Sequence, residues 1–591
     1  MLGRCQLQKL LLIALLLVYA GLASWYSVVI PLGEAPDEVD HYGVIRYLVQ
    51  HRRLPTTQAE HEAVQPPLYY LVGAALSGWI PDHEPYAVWH NADFDLSDPL
   101  APRTLLLHPA AQAWPYRGWA LAWHLVRLWS VALGALTVWA VYHLGGEIFP
   151  ARPEIGLGMA ALTAFTPQFL FTTAIANNDS AAAALSALVL WQIVALLRHG
   201  RLHPARIVLL GLLLGLGLLS KSSLLALLPV AGLAILWIGW GRRPAGVKAL
   251  LLAWLLAFGL AGLISAPYYL RNWRAFGDPL GFSFVMATNP LRDGPLTPGV
   301  LAWLFRGVAR SFWLQWIGIQ LDEWLYAILF ALYGIGLAGF LAWLWVRWRR
   351  IPRYVRQAIV LLGLHAAITL ALLIRWTTVV RGTDNARLVL PLLPTAMLVL
   401  VGGLLVWMSG RARYATAGWL AGMWLVLAVV TPARYLAPVY AAAPTLDRLP
   451  DAATPLDVRF GEAIRLAGAH LAEPQVRPGE RLTLDLYWVA DAPLTADVWL
   501  LLELVDASGE FVMYKDGSPS AGRDTTDCWT LGTIVAARHR LAVPDEAPPG
   551  LYWITLSLHP AGDRTWLPTT TAEGEALADA VVLEPAVRIE P

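Results

Sequence analysis

Apolar runs long enough to cross a bilayer recur through the first three quarters of the chain, and they decide what it can fold into. They lie near residues 9–30, 122–144, 156–176, 180–198, 205–220, 223–240, 247–267, 325–346, 357–375, 388–408 and 414–432, eleven in all. About 20 such residues in a helix cover the ~30 Å of hydrocarbon. With no water there to satisfy the backbone, a segment of this kind must be helical. Composition agrees: 57% of residues are hydrophobic and 14% charged, where soluble domains run near a quarter charged. The net charge of +1 gives no electrostatic pull toward nucleic acid, and no such partner is expected. Cys5 and Cys528 lie at opposite ends and set up no disulfide framework.

Arg4 and Lys9 precede the first run, as in a signal peptide, but the apolar stretch continues to Ile30. That length predicts a retained first helix. The runs at 205–220 and 223–240 are short and nearly continuous, which predicts a tight hairpin. Basic residues in short loops set the orientation. Arg152, 198–206, 241–248, 347–356 and 410–413 fall on one side together if the N-terminus is cytoplasmic. An odd number of spans then puts the C-terminus outside, along with the whole loop 31–121. The expectation is a multi-pass protein of the cell membrane, in contact with membrane lipids. Arginines also occur in outer loops, among them Arg271, Arg375, Arg381 and Arg387. They either snorkel to the interface or face an anionic group.

From residue 445 the pattern changes. "RLTLDLYWVAD", "DVWLLLELVD" and "GLYWITLSLHP" alternate apolar and polar residues between Pro, Gly and Asp turns. The prediction is a polytopic α-helical membrane domain over 1–440 and an extracytoplasmic all-β sandwich over 445–591. The β region shows no catalytic constellation, so binding, shielding or docking is expected of it.

The first outer loop is long, and long loops tend to be functional. It opens with "GEAPDEVDHYG" at 33–43, where Asp37, Glu38, Asp40 and His41 fall within five positions. Pro36 suits a helix start and acids suit its first turn. Tyr42, Ile45, Leu48 and Val49 then make an apolar stripe at helical spacing. "EAVQPPLYYLVGAAL" at 62–76 predicts a second amphipathic helix. The plain reading is that Asp37 and Glu38 only cap a surface helix; the sharper one is that two helices wall a cavity.

"PDEVDHYGVIRYLVQHRRLP" followed by "QPPLYYLVGA" resembles the first outer loop of the GT-C superfamily of integral-membrane glycosyltransferases. It is similar in particular to the protein O-mannosyltransferase and lipid A aminoarabinose transferase branch, families 39 and 83. "TPQFLFTTAIANNDSAAAAL" (166–185), "GLGLLSKSSLLALLP" (215–229), "PYYLRNWRAFGDPLGF" (267–282) and "ARLVLPLLP" (386–394) match in the same order. The resemblance covers about residues 8–430 and implies a GT-C-like fold. It implies inverting transfer of a sugar from a polyprenyl-phosphate donor to a protein, lipid or glycan acceptor on the outer side.

Asp37 matches the first acid of the family pair and is the expected general base, since an acceptor hydroxyl needs a proton acceptor. Glu38 and Asp179 complete the candidate catalytic acids. Lys221, Arg271 and Arg387 are the candidate cations for the departing phosphate, with His41, Gln65 and Asn178 beside them as substrate-binding groups. Each has a plainer role open to it. Asp179 in "NNDS" could cap a span, Lys221 could sit at an interface, and Arg387 could snorkel. His41 follows Asp37 by four residues, on one helical face. The pair could hold a divalent cation, but no third ligand is evident, so no metal site is assigned and His41 reads as a neutral orienting group. Many aminoarabinose-type relatives carry a lysine before Pro-Pro where this chain has Gln65, so the phosphate must lean on other residues. The loop 81–100, rich in His, Asp and Trp, suits sugar hydroxyls and suits any polar loop equally.

Two other classes compete. A lipid or glycan transporter would show charges buried mid-span and repeated sets of spans, and neither is evident in the sequence. A non-catalytic relative would bind envelope components through the β domain; Asp37, Asp179, Lys221 and Arg387 weigh against it.

Overall fold

The structure, a computed structural model, describes residues 4–56, 62–81, 88–240, 246–494 and 496–591. Arg242 and Arg243 of the predicted inner loops, and 82–87 of the loop 81–100, lie outside them. The chain divides into two units. The helical unit holds residues 1–30, 35–81 and 121–436, and the β unit holds 31–34, 82–120 and 437–591. The expected division lies at 440–445 alone; by contact, 88–120 of the stretch between the first two spans also groups with the strands.

All eleven apolar runs are helical. Among the described residues nine helices are long and apolar enough to cross a membrane. The other two runs differ from the expected spans. The run at 156–176 is a pair, Pro153–Phe165 and Pro167–Thr173, bent by 62°. Pro167 disfavours helix for the residue before it, and Thr166 is extended at φ −72°, ψ 120°. The run at 205–220 is a 15-residue helix, Pro204–Leu218. It ends where Lys221 takes up an extended backbone, φ −158°, ψ 133°, before the turn Ser222–Ala226.

Asp179–His199 is the innermost helix, with 94% of its apolar window buried. Its Ala- and Ser-rich face lets neighbours approach closely. Glycine does the same at two crossings. A Cβ on Gly134 would lie 1.8 Å from the Tyr19 hydroxyl, and one on Gly403 would lie 1.7 Å from the Gly336 carbonyl. One end of the bundle is tied by basic residues. Arg152 donates to the carbonyls of Leu405, Val406 and Met408 at 2.7–3.0 Å. Arg198 pairs with Glu147 at 2.8 Å, and Glu154 meets both Arg152 and Arg413. Arg152, Arg198 and Arg413, from three of the loops that the basic-residue pattern groups together, thus lie at this end.

The β unit is a five-stranded and a six-stranded sheet, antiparallel except for one short parallel pairing at 475–476. Alternation drives one face of each strand inward: Leu482, Leu484, Leu486 and Trp488 from one sheet meet Leu500, Leu502, Leu504 and Leu556 from the other. The 88–120 stretch adds a two-residue pairing of Trp89–His90 with Leu106–Leu107. Glu34 accepts from the backbone N–H groups of Leu105 and Leu106, both at 2.9 Å.

Candidate active site

Two helices between the first two spans, Glu38–His51 and Leu68–Ser77, form as the periodicity predicts. The capping role expected of their acids does not. Asp37 precedes the first of them in the left-handed region, φ 57° and ψ 12°, and its side chain makes no cap hydrogen bond. That conformation costs a non-glycine residue energy, least for Asp and Asn.

Glu38 is what holds it there. Fully buried, it takes a two-pronged ion pair from Arg127, also fully buried, at 2.7 Å on both prongs. The Trp123 indole N–H at 3.1 Å and the Ala176 backbone N–H at 2.8 Å donate to the same carboxylate. Arg127 spends its remaining donor on the carbonyls of Ser27 and Ile30, both at 2.6 Å. Glu38 is thereby closed off from any substrate. It fastens the end of the first span, the loop helix, the second span and the 176 loop to one point.

The opposite turn of that helix start is open. Arg387 donates to Asp37 Oδ2 at 2.5 Å and lies 3.7 Å from Asp179 Oδ2. Lys221 is paired with the other oxygen of Asp179. Arg387 is set by Asn385, whose side chain accepts from the Arg387 backbone N–H at 3.0 Å. The two acids and two cations come from four widely separated stretches and form one alternating chain. Asp179 is 2% exposed at its side chain, whereas Asp37 is 38% exposed. Burial would raise the Asp37 carboxyl, but the charges of Arg387, His41 and Lys221 outweigh it and hold the group at about 2. His41 is fully enclosed; burial lowers its imidazole to about 4 against the pull of Asp37, so it is neutral near pH 7. Its Nδ1 meets the Tyr70 hydroxyl at 2.8 Å.

Gln65 accepts from Asn178 at 3.0 Å, which sets both beside Asp179. Asn178 Oδ1, Asp179 Oδ2 and Arg387 Nε are buried without a hydrogen-bond partner. Buried polar atoms are rarely left so, and three together mark where a polar ligand would fit. Arg271 is placed differently from the other cations. It donates to the Pro55 carbonyl and to Asn272, and lies over the Phe276 ring.

The third group missing beside Asp37 and His41 is Glu62. The three offer one ligand atom each, all within 4.8 Å of one another. A divalent cation fits this set of one imidazole and two carboxylates. Glu62 gives no sequence signal, since its neighbours 57–61 carry no motif. Arg127 does give one, an arginine a few residues inside a predicted span.

Residues 122–266 match a family model described as dolichyl-phosphate-mannose-protein mannosyltransferase. No curated protein matches the chain. Two crystal structures of ArnT from Cupriavidus metallidurans are similar. The apo form is 14% identical, covering 72% of this chain and 73% of that one at a TM-score of 0.40. The form bound to undecaprenyl phosphate is 15% identical, covering 74% of each at 0.40. Likeness at that level sets no residue of one chain on a residue of the other. The stretch matched by the family model runs from the second span through the Lys221 turn to residue 266, about a quarter of the chain.

Proposed function

We propose that the chain transfers a sugar from a polyprenyl-phosphate-linked donor to an acceptor hydroxyl outside the membrane, with inversion. The observation that carries this reading is the convergence of Asp37, Asp179, Lys221 and Arg387 into one cluster with three unsatisfied polar atoms. The acceptor oxygen attacks the anomeric carbon and its proton passes to Asp37. The bond from that carbon to the phosphate oxygen breaks, and its electron pair leaves with the polyprenyl phosphate. Fixed cations stabilise charge that grows on a leaving group, and Arg387 and Lys221 are the two at hand.

A carboxylate held at about 2 is a weak base, and a useful base has a pKa nearer the working pH. The remedy lies in its partner. A donor phosphate competes with Asp37 for Arg387, so binding the donor returns proton affinity to Asp37. Glu38 acts through position, and Arg271 through the Pro55 carbonyl that it holds. A divalent cation held by Asp37, His41 and Glu62 would supply further charge for the phosphate.

The test is release of polyprenyl phosphate from a panel of radiolabelled polyprenyl-phosphate sugars, using purified protein in nanodiscs. The wild type is expected to turn over one donor, and Asp37→Asn to lose about 10²–10⁴-fold. An Asp37→Asn enzyme at full rate overturns the base; a folded wild type that releases nothing overturns the transferase.

A further inference from the structure

The β unit contains a cavity of about 260 Å³ at the edge of the two sheets. It is roofed by the 92–102 segment and floored by strand Phe511–Gly517 and by strand Ile534–Ala542 with its neighbour Arg481–Ala490. Three aspartates of the roof each meet a different cation below. Asp93 is paired with Lys515, Asp95 with Arg481 at 2.5 Å, and Asp98 with Arg540 at 2.8 Å. Arg538 on the rim holds Asp485 by two bonds, 2.7 and 2.9 Å.

Every charge on the lining is thus matched. A divalent cation would find each carboxylate already facing a cation, and a phosphate would find each cation already facing a carboxylate. What the walls still offer is spare acceptor capacity beside cations already paired. Asp93 Oδ2 is the clearest case. Its side chain is 3% exposed, and that oxygen has no hydrogen-bond partner. Behind the wall, buried His539 gives its Nε2 hydrogen to the Pro519 carbonyl at 3.2 Å, which leaves its Nδ1, 4.0 Å from the other Asp93 oxygen, a second acceptor without a partner. Ion pairs that only clamped a loop would need neither an open volume nor a free buried acceptor.

We propose that this cavity is a carbohydrate site that takes one neutral pyranose ring. Sugar hydroxyls donate to the aspartates and accept from the arginines at once, which is the pairing a matched lining presents. The volume lies just below the ~300–1,000 Å³ usual for small-molecule sites, so a single ring fits and a chain does not. The site stands independently of the transferase reading and lies within the β unit.

The test uses the full chain in nanodiscs and saturation-transfer NMR with methyl α-mannoside, methyl β-glucoside and methyl β-galactoside. The wild type is expected to bind at least one. Ala542→Trp fills the cavity from an exposed rim position without breaking an ion pair, and is expected to abolish transfer. Asp93→Asn keeps the shape, removes a charged acceptor and is expected to weaken binding about tenfold. Asp37→Asn in the helical unit is expected to leave it unchanged. No transfer to the wild type overturns the proposal, as does transfer that Ala542→Trp preserves or that Asp37→Asn alone removes.

Discussion

At the scale of single residues, the chemistry of Asp37 follows from two neighbours with opposite demands. Glu38 is locked inward by Arg127, and that lock turns Asp37 outward in a left-handed conformation. Arg387 then holds the exposed carboxylate ionised. Since kcat/KM reports groups of the free enzyme and kcat those of the donor complex, the two profiles should differ. The carboxylate at about 2 is ionised, and His41 at about 4 is neutral, throughout the range above pH 5. The acid limb of kcat/KM should therefore lie below pH 5. The limb of kcat should lie higher, because the bound phosphate draws Arg387 away; superimposed profiles in a pH series would exclude that coupling. Removing one partner of a buried ion pair is costly, about 3–5 kcal/mol. Arg127→Met should lose that much stability, read as a lowered unfolding midpoint in detergent, and Glu38→Gln in the same chain should restore part of it. Asp37, Asp179, Lys221 and Arg387 are legible as candidates through the resemblance of their stretches to the superfamily's motifs, since a charge near the end of an apolar run is by itself equally a cap or an interfacial group. Glu62 is not, because nothing local distinguishes an acid whose partners, Asp37 and His41, stand at the start of a helix earlier in the same loop.

At the scale of elements, hydrophobic length reveals where helices lie but not where they break. The eleven runs are all helical, yet one bends at Thr166-Pro167 and one stops short before Lys221. Both irregularities suit a site. The bend leads into the Asn178–Asp179 turn, and the stop frees Lys221 to leave the helix axis and pair with Asp179. Strand alternation after residue 445 reads as directly, since period two survives any change of partner. Crossing distance does not read at all: Gly336 and Gly403 are unremarkable in sequence, and only the contact shows that no side chain fits between them. Gly403→Ala should therefore force two spans apart. A cost of about 1–3 kcal/mol, seen as a lower thermal midpoint, is expected, while Gly422→Ala, with open space at its Cβ, should change little.

At the scale of the whole molecule, the boundary between units does not follow the boundary between sequence patterns. Residues 88–120 read as part of a loop between spans, and their carboxylates gave no sign of which strands they would meet. Asn91 donates to the Gly522 carbonyl at 2.8 Å, and Asp93 and Asp98 reach Lys515 and Arg540. A chain cut after residue 440 should thus present 88–120 to proteases while its spans remain protected, with cleavage confined there in limited proteolysis; the intact chain should resist at the same sites. Those pairings also set a schedule for synthesis. Asp93 and Lys515 are 422 residues apart, which at ~5–20 residues per second amounts to roughly 20–80 s of translation. For that interval the aspartates of the loop have been made and their cations have not. The loop must wait, solvated and unpaired, until the last quarter of the chain arrives to close the cavity around it.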